Sequence, residues 1–70
     1  MSVEMLKAQI RMLMGQLARN GFEMRREKRV NRTIDLMAAR MEIYKSIAHR
    51  QGMIIEIQAA HLKFSDKEAA

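Results

Sequence analysis

The chain has 70 residues, a formal net charge of +5, and neither cysteine nor proline. This length allows one small domain of marginal stability, and the lack of cysteine excludes disulfides and thiolate metal sites. The basic balance favours acidic partners in general, such as nucleic acid, anionic lipid or an acidic protein surface.

Apolar residues at alternating three- and four-residue spacing predict the first helix. The helix is expected over about residues 3–19, and Ser2 is placed to cap its free amides. Because helix-forming residues dominate and only three aromatic residues occur, the composition predicts an all-α protein. The residues of this apolar pattern are Val3, Leu6, Ile10, Leu13 and Leu17.

Asn20 and Gly21 interrupt the pattern and predict a turn at residues 20–22. Glycine suits the left-handed position that ends a helix, and Asn20 with Glu23 resembles a capping box for the next helix. A connection this short makes consecutive helices antiparallel neighbours. The sequence therefore predicts an antiparallel helical hairpin.

The second helix is predicted over about residues 23–64, with a frayed tail at 65–70. Gly52 is expected inside this helix, although a second turn there would give three short helices instead. Alternation over residues 55–58 also permits a short strand. The apolar pattern predicted to face the first helix is Val30, Ile34, Met37, Met41, Tyr44 and Ala48.

The two predicted helices differ greatly in length. About half of the longer one would lack intramolecular cover, and exposed apolar surface marks an interaction site. The simplest cover is a second copy, which predicts a homodimer with a four-helix core. The predicted dimer or partner interface comprises Ile34, Met37, Met41, Tyr44, Ile47, Ala48, Ile54, Ile55 and Leu62.

Two further surfaces are candidates for binding. Met5 and Met12 lie one heptad apart beside the first seam and widen its apolar face. A basic run could contact nucleic acid or an acidic protein, or could simply be solvated. That run consists of Arg25, Arg26, Lys28, Arg29 and Arg32.

No arrangement of residues predicts catalysis, a metal or a cofactor. His49 and His61 lack metal-ligand spacing, and no orienting acid accompanies Ser46 and His49. We therefore expect a non-enzyme without a small-molecule substrate. The absence of a signal-like N-terminus and of a long apolar stretch predicts a cytoplasmic protein without a transmembrane segment.

The layout is similar to small helical-hairpin adaptors, chaperones and inhibitors of bacteria and their phages, in size and pattern only. This likeness favours a module that binds another protein through helix–helix pairing. The alternative is a small basic regulator that binds nucleic acid. A membrane-surface helix is a weaker third interpretation, because the apolar face lacks tryptophan.

Overall fold

The computed structural model describes the backbone of residues 2–69 and the side chains of residues 2–63. Within this range the chain forms two α-helices, α1 (Val3–Arg26) and α2 (Val30–Ala69). They pack side by side as an antiparallel hairpin 61 Å long and 16 Å across. The predicted all-α hairpin is confirmed.

The start of α1 follows the sequence prediction. Ser2 has an extended backbone, and its hydroxyl accepts a hydrogen bond of 3.2 Å from the amide of Met5. Glu4 lies in the first turn, where a negative charge interacts favourably with the helix dipole.

The predicted turn at residues 20–22 is wrong, because α1 continues through Asn20 and Gly21 to Arg26. Gly21 does not adopt a positive φ. Asn20 is buried, and its side-chain amide donates a 2.8 Å hydrogen bond to the carbonyl of Leu36 in α2. A β-carbon on Gly21 would lie 3.3 Å from a guanidinium nitrogen of Arg40. This dipeptide therefore marks a close helix–helix contact instead of a turn.

The connection lies at residues 27–29, and Glu27 organises it. The Glu27 amide donates to the carbonyl of Glu23 at 2.9 Å, which closes α1. Its carboxylate then accepts a 3.0 Å hydrogen bond from the amide of Arg29. Arg25 and Arg26 occupy the last turn of α1, where positive charge interacts favourably with the dipole.

The seam between the helices combines one stripe from each. Leu6 is fully buried, and the other seam positions, apart from buried Asn20, are partly buried. On α1 the seam residues are Val3, Leu6, Ile10, Leu13, Leu17, Asn20 and Met24. On α2 they are Thr33, Leu36, Arg40, Ile43, Ile47, Arg50 and Ile54.

The prediction of which apolar stripe of α2 faces α1 is therefore wrong. Val30, Ile34, Met37, Met41 and Tyr44 are all exposed. The helix carries two apolar stripes, and a single partner helix covers only one of them. The covered stripe has one leucine and three isoleucines, whereas the five exposed residues are one valine, one isoleucine, two methionines and one tyrosine.

The predicted position of the uncovered surface also changes. Since α1 has 24 residues, it runs beside α2 far enough for Val3 to line one cleft with Ile57 and His61. Ile47 and Ile54, expected in the uncovered half, lie in the hairpin seam instead. The uncovered apolar surface thus runs along one side of α2, not over its second half.

Gly52 lies inside α2, as predicted, and residues 55–58 are helical instead of forming a strand. The helical backbone of α2 reaches Ala69, beyond the predicted end at about residue 64, and the predicted fraying of residues 65–70 stays a prediction. Residues 65–69 include no glycine or proline that would end a helix. Residue 70 lies outside the described range.

Replacing the buried amide tests the position of this contact. We expect Asn20→Ala to lower the free energy of unfolding by about 1–3 kcal/mol, because it removes a part-buried hydrogen bond to Leu36. Asn31→Ala, at an exposed position of α2, should change it by less than about 0.5 kcal/mol. Urea denaturation followed by circular dichroism measures both, and equal effects would contradict the assignment of Asn20 to the seam.

Candidate interaction surface

A row of exposed apolar side chains extends along α2 beside the hairpin seam. Most of its members directly follow a seam residue, as Met37 follows Leu36, so they lie about 100° further around the helix. We call this row the outer stripe. Its apolar members are Val30, Ile34, Met37, Met41, Tyr44, Ala48, Ile55 and Leu62.

The outer stripe keeps the three- and four-residue spacing of a coiled-coil seam throughout. Only Gln51 and Gln58 interrupt its apolar character, and both have long, flexible side chains. Met41 is 61% exposed and Ile55 is 65% exposed. A helical stripe of this length left in water is typical of a surface that pairs with another helix.

Arg40 links the hairpin seam to the outer stripe. One guanidinium nitrogen donates to the Asn20 side-chain oxygen at 3.5 Å, and another donates to the Tyr44 hydroxyl at 3.1 Å. The guanidinium carbon also lies 5.3 Å from the centre of the Tyr44 ring. These contacts orient the aromatic ring in the middle of the stripe, and the sequence pattern alone did not reveal this role of Arg40.

One exposed methionine of α1 faces the same side of the hairpin. Val3 and Leu62 line one cleft, which places both on this side. Met14 follows Val3 by close to three helical turns, and Tyr44 precedes Leu62 by close to five. Met14, which is exposed, therefore lies beside the middle of the outer stripe. In the sequence, the position of Met14 directly after the seam residue Leu13 indicates that it lies beside the seam.

Among the residues predicted for the partner interface, the structure groups most on the outer stripe. Ile34, Met37, Met41, Tyr44, Ala48, Ile55 and Leu62 are there, whereas Ile47 and Ile54 are half-buried against α1. The residues of the predicted second apolar face, Met5 and Met12, are both exposed. Met12 lies roughly 200° around α1 from Met14, and so faces away from the stripe.

The basic run lies at the end of the hairpin where the two helices are joined, and we call it the basic tip. Its members Arg25, Arg26, Lys28, Arg29 and Arg32 occupy the last turn of α1, the connection and the first turn of α2. Arg26 lies over the Phe22 ring at 5.4 Å.

Glu27 supplies negative charge inside this tip. Its carboxylate lies 3.2 Å from Arg29 and 3.8 Å from Arg32. The hydrogen bond from the Arg29 backbone amide, helped by the Arg29 side chain, lowers the pKa of Glu27 below its ordinary value. Glu27 therefore stays ionised and neutralises part of the tip.

The two histidines line separate clefts. His49 lines a cleft with Leu6 and Met53, and His61 lines another with Val3. Within the described part of the chain, no three side chains of His, Asp or Glu are grouped as metal ligands. Neither helix, over the residues described, is long and apolar enough to cross a membrane.

Comparison of the chain with protein families, with curated proteins and with solved structures finds no match. The functional argument consequently rests on the outer stripe and the basic tip.

The charge on Glu27 gives a test at acid pH. Since its pKa is lowered in the folded protein, its contribution to stability is present at neutral pH and is lost as pH falls through the folded pKa. We expect Glu27→Gln to lower the melting temperature at pH 7, and the difference from the natural protein to vanish well below pH 4.5.

Glu42→Gln provides the reference for loss of an exposed carboxylate, since Glu42 pairs only within one helix, with Lys45. Thermal melts of the three proteins across this pH range give the comparison. A Glu27→Gln deficit that is independent of pH would contradict the role assigned to its charge.

Proposed function

We propose that the protein is a non-catalytic, helical-hairpin binding module that acts by pairing the outer stripe with an apolar helix face. The observation that carries the proposal is the stripe itself, which has coiled-coil spacing and lies in water along α2. A homodimer with a four-helix core is one form of this pairing. Adaptor, chaperone and inhibitor of another protein are the roles that such a module serves, and a cytoplasmic location fits a chain without cysteine.

The stability of the hairpin supports this proposal. Leu6 is the one large side chain that is fully buried within residues 2–63. A domain of this size is marginally stable even when compact. Covering the outer stripe would place a second apolar layer beside the seam, so binding and stability would increase together.

An aspartate in the middle of the stripe tests the surface. A labelled, uncharged amphipathic helical peptide serves as the probe, and fluorescence anisotropy measures its binding. We expect Met41→Asp to weaken binding at least tenfold, because a buried, unpaired carboxylate is costly. Met12→Asp is the matched control, since Met12 is 69% exposed on the other side of the hairpin.

Circular dichroism should show comparable helix content for both variants before binding is compared. Equal peptide binding by Met41→Asp and Met12→Asp would contradict the assignment of the binding surface to the outer stripe.

Binding of nucleic acid is the second candidate function, and the basic tip favours it. Five cationic residues and one carboxylate lie within residues 25–32, at one end of an elongated molecule. Arginine guanidinium groups match phosphate oxygens well, and such contacts position a protein without reading base sequence. This function would therefore be a sequence-independent contact with phosphates.

Neutral substitutions at the tip distinguish this function from a merely solvated basic patch. We expect Arg25→Gln with Lys28→Gln to weaken binding of a labelled DNA duplex at least tenfold at low salt. Arg11→Gln with Arg19→Gln removes the same charge from the exposed body of α1 and should have a smaller effect. Fluorescence anisotropy across a salt series gives both affinities, and equal losses, or no binding at low salt, would exclude the tip as a phosphate site.

A further inference from the structure

The exposed surface of the hairpin is larger than that of a compact protein of the same mass. The chain exposes 5986 Å², although it has a mass of only 8.2 kDa. A compact monomer of this mass exposes about 4,500 Å². The excess, roughly 1,500 Å², exceeds the approximately 800 Å² that each partner contributes to a standard interface. The outer stripe contributes eight exposed apolar residues to this surface.

The order of side chains along the stripe favours a second copy of the chain as its cover. Two α2 helices can pair in antiparallel orientation with the centre of the pair near residue 46. The residue numbers of two facing stripe positions, one from each copy, then add up to 92. Tyr44 then lies opposite Ala48 of the second copy, so a large side chain meets a small one. The remaining layers pair Val30 with Leu62, Ile34 with Gln58, Met37 with Ile55, and Met41 with Gln51.

This register uses the whole stripe. A shift of one heptad that lowers the sum to 85 would leave Leu62 without a facing residue, because α2 begins at Val30. A shift that raises the sum to 99 would place Tyr44 against Ile55 instead of the small Ala48, so two large side chains would meet. The register with a sum of 92 therefore faces every stripe position with another and pairs the largest side chain with the smallest, and the same surface serves both copies, as a two-fold axis requires.

The side of the stripe away from α1 permits close approach of two such helices. The positions that flank it there are mostly small or neutral: Asn31, Ala38, Gly52 and Ala59. A β-carbon at Gly52 would meet no atom within 4 Å in the hairpin. Lys45 is the one charged residue in this row, and its ammonium lies 3.4 Å from Glu42.

The first helix also fits the arrangement. Met14 faces the same side as the stripe and lies beside its middle, so the two-fold axis would bring two Met14 side chains together. The two hairpins then stack face to face as a four-helix bundle, in which α2 packs against α2 and α1 packs against α1 of the second copy.

We infer that the outer stripe is covered by a second copy of this chain, in an antiparallel two-fold dimer with Tyr44 packed against Ala48 across the axis. This inference rests on the proposed function, since it names the partner of the same surface. The dimer places the two basic tips at opposite ends of the assembly.

Single-cysteine variants test the register, because the natural chain contains no cysteine. Lys45→Cys, near the axis, should be cross-linked to itself by a short bismaleimide at tens of micromolar protein. Asn31→Cys alone and Ala59→Cys alone should not be cross-linked. In the inferred dimer the two copies of residue 31 lie about 40–45 Å apart, and the two copies of residue 59 lie roughly 40 Å apart. A mixture of the Asn31→Cys and Ala59→Cys variants should be cross-linked, because the antiparallel register places residue 31 of one copy beside residue 59 of the other.

Light scattering gives the assembly mass, which should be about twice 8.2 kDa for the natural protein and for Met12→Asp. Met41→Asp should remove the Lys45→Cys cross-link. If that variant fails to fold, the cross-linking results at residues 31, 45 and 59 and the mass of the natural protein still test the inferred dimer.

The outcomes separate the two proposals. A monomer that forms no cross-link but binds the helical peptide would overturn the dimer and leave the binding module standing. Cross-linking of Asn31→Cys or Ala59→Cys alone would show a parallel arrangement and overturn the inferred register. A monomer that also fails to bind the peptide would overturn both.

Discussion

The antiparallel seam between α1 and α2 is the constraint on which the rest of the molecule depends. A helix buries only one stripe against a single neighbour, so a two-helix hairpin necessarily leaves its other faces in water. Here the covered stripe of α2 is the one with Leu36, Ile43, Ile47 and Ile54. The exposure of the outer stripe follows directly from that choice.

Polar contacts fix how the two helices meet. Asn20 donates to the backbone of α2 at one end of the seam, and Arg50 donates to Gln9 at 2.9 Å towards the other. These side chains have defined hydrogen-bond partners, whereas methionine packs adaptably. The polar pairs thus select one register for the hairpin, and Arg40 extends this order to Tyr44 on the exposed face.

The two candidate surfaces differ in their physics and in their place on the molecule. The outer stripe is apolar and extends along the side of α2, so it suits a helix partner and a dry interface. The basic tip is confined to the connection, where Glu27 balances part of its charge. One protein can use both, because a contact along the side leaves the end free.

The sequence by itself determined the all-helical class, the Ser2 cap, the hairpin and the continuation of α2 through Gly52. These features depend on local propensity and periodicity, which the order of residues states directly. Met24, which continues the α1 spacing beyond Asn20, and the arginines at 25 and 26 were the overlooked signals for a longer first helix. They were weaker than the asparagine–glycine pair, which is typical of turns.

Only the tertiary structure decided where the connection lies and which stripe of α2 is covered. Asn20 and Gly21 have two uses, as a turn or as a close contact between helices, and the choice depends on atoms of Leu36 and Arg40 in the other helix. Likewise both stripes of α2 have helical spacing, so periodicity cannot rank them. Their difference arises from packing against α1, which involves residues far apart in the chain.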